Sequence, residues 1–127
     1  MKKFQIVLFA LLISPFMSKA DSFDDIMAAM KAGQTSGITK YFSSNVELTL
    51  LDNEGIYSKA QSEQMLKTFF AQHPPKSVSV QHKGSSAQGA KYAIIIYESS
   101  NGKFRTYIFM KDNGNGLQVN EFRIERE

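Results

Sequence analysis

The stretch AKYAIIIYESSNGKFRTYIFM, residues 90–110, decides the fold. Its first half, Ala90 to Ser99, is strongly apolar and rich in the β-branched and aromatic residues that suit a pleated surface. Asn101-Gly102 is a hairpin signal, because both residues tolerate positive φ. Lys103 to Met110 continues as a second strand. A two-residue loop at Asn101-Gly102 pairs Glu98 with Arg105, Ile96 with Tyr107 and Ile94 with Phe109. Directly opposed residues share a face. One face then carries Tyr92, Ile94, Ile96 and Glu98 with Arg105, Tyr107 and Phe109. The other carries Ile95 and Tyr97 with Phe104, Ile108 and Met110.

Strands extend on both sides of this hairpin. Lys76 to Gly84 alternates, with Val78, Val80 and His82 on one face. After the reversal at Asn113 to Gly116, Leu117 to Glu125 is a last strand. Its register stays open. Either Phe122 and Ile124 or Glu121 and Arg123 face the core, because a one-residue slip exchanges the two sets.

The half before residue 75 reads differently. Ser58 and Gln61 form a capping box, and Met65, Leu66, Phe69 and Phe70 make an apolar stripe. His73-Pro74-Pro75 stops that helix. Upstream, Val46 to Leu51 alternates as a strand, and Asp52-Asn53-Glu54-Gly55 is turn chemistry. Phe23, Ile26, Met27 and Met30 recur at helical spacing between Ser22 and Gly33. Ile38, Tyr41 and Phe42 suggest one more helical turn. The expected class is α+β: N-terminal helices and one long helix packed on a curved antiparallel sheet. The Tyr92 face, joined by Val78, Val80 and His82, is expected to meet Phe69 and Phe70. The opposite face, with Ile95, Tyr97, Phe104, Ile108 and Met110, becomes a candidate partner surface.

Residues 1–20 have the layout of a secretory signal peptide: Lys2 and Lys3, an apolar run to Ile13, and Ser18-Lys19-Ala20 before a cleavage point. The run is about ten residues long, against about 20 needed to span a bilayer. The expectation is an exported, periplasmic or secreted domain comprising residues 21–127, with no membrane span after cleavage. The chain contains no cysteine, which excludes disulfides, thiolate metal sites and a cysteine-borne lipid anchor. Of its 15 Lys and Arg, Lys2, Lys3 and Lys19 belong to the leader, leaving 12 against 12 Asp and Glu. A neutral mature chain without a basic stripe gives no support for nucleic-acid binding.

Candidate chemistry is sparse. His82 lies near a strand end beside Tyr92 and could act as acid or base; its bland reading is a polar residue at the core rim. His73 precedes Pro74 and ends a helix. The two histidines have no carboxylate spacing that makes a metal site. Arg105 could clamp an anion, or form an ordinary cross-strand ion pair with Glu98. Catalysis on an enolate would require an inward carboxylate beside Tyr92 or Tyr107, and Glu121 supplies one in only one register. There is no GxSxG elbow, P-loop or dinucleotide fingerprint, and no cofactor is expected.

The order of elements resembles the nuclear-transport-factor-two-like superfamily, cystatin-like in shape. The stretch from Tyr57-Ser58-Lys59-Ala60-Gln61 through Phe69-Phe70, Pro74-Pro75 and His82-Lys83-Gly84, then Tyr92 and Phe104-Arg105, is similar to a small exported Bacteroidetes family, domain of unknown function 4783. Where that pattern leads to a glycine after Tyr92, this chain has Ile95 and Ile96. The resemblance implies a cone-like sheet around a helix, often with a pocket between them and often paired across the sheet. It implies no activity, because the superfamily includes isomerases, dehydratases and binding domains. The expectation is an exported non-enzymatic binding domain for a small molecule, peptide or protein, with His82, Tyr92, Arg105 and Tyr107 as ligand contacts and a homodimer as one assembly. The alternatives are a small isomerase or dehydratase-like enzyme and a purely structural dimer.

Overall fold

In the computed structural model, residues 22–86, 88–114 and 116–127 are described; the expected leader, residues 1–20, lies outside them. Three helices precede or interrupt the sheet: α1 (Ser22–Ala32), α2 (Thr35–Thr39) and α3 (Lys59–Gln72). Six strands follow the chain as β1 (Phe42–Leu50), β2 (Asn53–Ser58), β3 (Pro75–Ser85), β4 (Lys91–Ser99), β5 (Gly102–Asp112) and β6 (Leu117–Arg126). They form one sheet in the order β2-β1-β6-β5-β4-β3. The class is α+β, as expected, but the sheet is mixed rather than wholly antiparallel, because β1 and β6 run parallel.

The helices end where their sequence says. Ser58 Oγ accepts from the Gln61 backbone N–H at 3.1 Å, and Gln61 Oε1 accepts from the Ser58 N–H at 3.2 Å. That reciprocal pair satisfies two otherwise orphaned donors at the start of α3. Gly33, at φ 69°, closes α1 in the left-handed region that glycine enters without a Cβ penalty.

Two expectations about the hairpins are corrected. Asp52-Asn53-Glu54-Gly55 is not a turn. Leu50 pairs with Asn53, so Leu51-Asp52 is the loop, and Asn53 begins a strand. Leu51 takes φ 58° there, a conformation uncommon for a residue with a side chain. In the β4–β5 hairpin Ser99 pairs with Gly102 and Glu98 with Lys103, so the loop is Ser100-Asn101. The pairing is shifted by two residues from the expected one. Its parity is unchanged, so the two sets of face-sharing residues stand. The expected Glu98–Arg105 pair does not form, and Arg105 opposes Ile96. Asn101, the second loop residue, turns its side chain to α3. Its Nδ2 donates to the Gln72 carbonyl at 3.0 Å, and its Oδ1 lies 2.9 Å from His73 Nδ1. The hairpin tip thereby brackets the C-terminal end of α3.

The larger correction concerns which face meets the helices. Ile95, Tyr97, Phe104, Ile108 and Met110, expected as a partner surface, are fully buried in the core. They pack with Ile26, Met30, Leu66, Phe69, Phe70 and Phe122. Phe122 and Ile124 also face inward, which places Glu121 and Arg123 on the open side. Tyr97 stacks on Phe70 with ring centroids 5.6 Å apart and donates its hydroxyl to the His73 carbonyl. Val78 and Val80 oppose Tyr97 and Ile95 on the helix side. A bulge between Val80 and His82 then reverses the alternation and turns His82 outward. Lys83 turns the other way, 3.8 Å from Asp24 of α1.

Thr106 lies on the inner face between Ile95 and Ile124, fully buried, and its Oγ1 reaches no hydrogen-bond partner among the described residues. A buried hydroxyl without a partner is a cost that an apolar group of the same shape removes. Thr106→Val is expected to raise stability by about 1 kcal/mol in urea unfolding. A loss of stability would reveal a partner for the hydroxyl and overturn the expectation.

Candidate functional site

The open face of the sheet gathers the residues singled out in the sequence, on the side opposite to the one expected. His82 of β3, Tyr92 of β4 and Tyr107 of β5 lie side by side. His82 Nε2 is 3.0 Å from the Tyr92 hydroxyl, with the two rings 5.5 Å apart. The Tyr92 and Tyr107 rings are 6.3 Å apart. The Arg123 guanidinium lies 5.9 Å from the Tyr107 ring centroid and bonds Glu121 Oε2 at 2.5 Å. A continuous line of rings and charges therefore crosses four strands, from β3 to β6. Gly84 makes room for one end of it. A Cβ there would stand 2.6 Å from the Tyr92 ring, so that ring lies across bare backbone.

Arg105 stands two residues from Tyr107 on the same face. With Ile94, Tyr107, Arg123 and Glu125 it lines a hollow of about 150 Å³. The Tyr107 hydroxyl is pushed above the usual tyrosine range, first by partial burial and then by the Glu121 charge. It therefore stays a neutral donor. Arg105 opposes Glu125 across the strands without forming a salt bridge within 4 Å among the described residues. The expected pocket residues are thus brought together, but they do not lie between sheet and helix.

A second concavity escaped the sequence reading. The face of α3 that bears Gln64, Met65 and Thr68 stands off the β1–β2 hairpin and leaves a groove of about 580 Å³, with Leu51 and Asp52 on its far wall. The helical stripe could have revealed Gln64 and Thr68, four residues apart. The Leu51-Asp52 turn was hidden by the stronger turn chemistry that follows it. No Asp or Glu is among the buried side chains of the described residues. Tyr97, the tyrosine in the core, is held neutral by burial, its pKa pushed up to about 12. A tyrosine–carboxylate pair does occur, Tyr41 with Asp25, but it lies at the surface between α1 and the start of β1. No group of three His, Cys, Asp or Glu among the described residues can hold a metal ion. No helix there is long and apolar enough to cross a membrane.

Helices packed on one side of an open six-stranded sheet, whose other side no described element covers, define a cystatin-like, nuclear-transport-factor-two-like α+β domain. The chain belongs to the family described as Domain of unknown function (DUF4783), which matches residues 23–125. A family member from Bacteroides uniformis is 25% identical, with a TM-score of 0.76 over 82% of this chain and 95% of that one. One from Bacteroides ovatus is 22% identical, with a TM-score of 0.76 over 81% and 93%. A cystatin-like protein of unknown function from Nostoc punctiforme is 10% identical, with a TM-score of 0.68 over 84% and 73%, a likeness of fold alone. No curated protein matches the chain.

Proposed function

We propose that this chain is an exported, non-enzymatic binding domain whose contact surface is the open face of the sheet. The observation that carries the reading is the line His82, Tyr92, Tyr107, Arg123, left bare by every described element. Tyrosine and arginine side by side are the side chains that dominate protein interfaces, because they combine large apolar area with directed hydrogen bonds. The hollow on this face, about 150 Å³, is small for a drug-sized ligand, whose sites run to about 300–1,000 Å³. A protein surface fits better. The simplest occupant is a second copy. Arg105 and Arg123 stand beside Glu121 and Glu125, so a two-fold related copy can set guanidinium against carboxylate. Export rests on the leader-like residues 1–20.

Light scattering on the mature chain tests the reading. The wild type is expected at twice the chain mass, and Ile94→Lys at the monomer mass with an unchanged circular dichroism spectrum, since Ile94 is only half-buried. A wild-type monomer at high micromolar concentration removes self-association through this face. The groove beside α3, at about 580 Å³, supports a small molecule as a second ligand class.

A further inference from the structure

The sheet has two free edges, and they are guarded very differently. The β3 edge carries Pro75, Lys76 and Lys83, is bulged between Val80 and His82, and has α1 packed against it. Proline, lysine and bulges are the devices that keep an edge from pairing with another chain. The β2 edge, Asn53–Ser58, has none of them. It presents instead Ile56, a large apolar side chain that is 72% exposed. Its backbone is available as well. A two-residue loop makes Leu50–Asn53 a hydrogen-bonded pair, and the alternation continues through Leu48–Gly55 and Val46–Tyr57. Glu54 and Ile56 therefore turn their N–H and C=O groups away from β1. Among the described residues no backbone bond from another element reaches them. The inner side of the strand is smoothed by Tyr57, whose ring lies across Gly55 and is 3.2 Å from where a Cβ would stand.

Charge selects what can pair there. On the open face Ile56 lies opposite Glu47, and Glu47 lies opposite Glu121; Glu54 is one pair further along. Arg123 is already bonded to Glu121, and neither Glu47 nor Glu54 forms a salt bridge within 4 Å among the described residues. A second copy joined two-fold through this edge would add its own Glu47 and Glu54 to the same face of the extended sheet, and the added like charge opposes the pairing. A basic strand meets no such penalty.

We propose that the free edge of β2 accepts an extended peptide segment of alternating basic and apolar residues as a seventh strand. Its main chain pairs with Glu54 and Ile56, its apolar side chains cover Ile56, and its basic side chains reach Glu54 and Glu47. Main-chain pairing of this kind supplies affinity, and the alternate side chains supply selectivity. This proposal stands independently of the open-face contact.

Fluorescence anisotropy on the mature chain, with a labelled ten-residue peptide of alternating Lys and Val, gives the test. Binding is expected and should weaken as salt is added. The Glu–Val analogue, and the Lys–Val peptide with two central prolines, are expected not to bind. Ile56→Pro removes an N–H that β1 does not use and is expected to weaken binding about tenfold or more. Glu54→Lys is expected to do the same, while Ser79→Ala, exposed on the opposite edge strand, leaves it unchanged. Hydrogen exchange on the wild-type chain reads the pairing without a variant: the Glu54 and Ile56 amides gain protection when the peptide is added. No binding by the wild type, equal binding by the proline-broken peptide, or unchanged exchange at those amides overturns the proposal.

Discussion

Ile108→Lys is expected to abolish cooperative folding, whereas Ile94→Lys is expected to leave it intact. The two residues lie on neighbouring strands and are equally apolar in sequence. Ile108 opposes Ala93 and Phe122 on the inner face and is fully buried. A lysine there must surrender its charge or carry it into a low-dielectric core, and either outcome costs several kcal/mol. Total stability for a domain of this size is about 5–15 kcal/mol, and overpacking of the site adds to the loss. Ile94 opposes Tyr107 on the open face, where a lysine keeps its ammonium in water. Circular dichroism melts decide the matter. A sharp transition for Ile108→Lys near the wild-type temperature would mean that the inner and outer faces have been assigned the wrong way round.

Phe69→Ala comes next in size. Phe69 touches rings on two strands and on the residue that ends its own helix. Its centroid lies 5.4 Å from Phe104 and 6.1 Å from Tyr97, both edge-on, and 4.7 Å from His73. It joins α3 to the β4–β5 hairpin at the point where Asn101 brackets the helix end. Truncating a buried phenylalanine costs about 3–5 kcal/mol, because the cavity closes only partly. For a chain of this length that lowers the melting temperature by about 12–20 °C. The midpoint in urea should fall with little change of slope, since the surface exposed on unfolding is nearly the same. A shift of less than about 5 °C would show that the ring cluster can collapse around the gap.

Much of the fold was legible because local chemistry and tertiary structure agree. The Ser58–Gln61 capping box and the Leu66, Phe69, Phe70 stripe define α3, and Gly33 ends α1. Alternation placed β3 to β6, and parity sorted the β4 and β5 side chains into two correct sets. Parity could not say which set faces the helices, because both are apolar: Ile95 and Tyr97 on one side, Ile94 and Ile96 on the other. Val78, Val80 and His82 were set together on the Tyr92 face, but the bulge after Val80 exchanges faces in mid-strand and leaves only His82 there. His82, Tyr92, Arg105 and Tyr107 were therefore grouped correctly and placed on the wrong side. The strand β2 was invisible for another reason. Asn53-Glu54-Gly55 is turn chemistry by composition, and only pairing with β1 makes it extended. The parallel contact of β1 with β6 joins residues about 75 apart in sequence and leaves no local trace.

That parallel contact has a consequence for the order of assembly. The strand made last, Leu117–Arg126, lies between β1 and β5, not at an edge. Until it is synthesised, β2 and β1 are one detached ribbon and β5, β4 and β3 another, and each exposes a row of unsatisfied backbone groups. Phe122 and Ile124, which both ribbons need, are not yet present. The sheet therefore depends on a non-local closure, which slows its formation. The sheet becomes continuous in a single step, when this keystone strand joins the two ribbons.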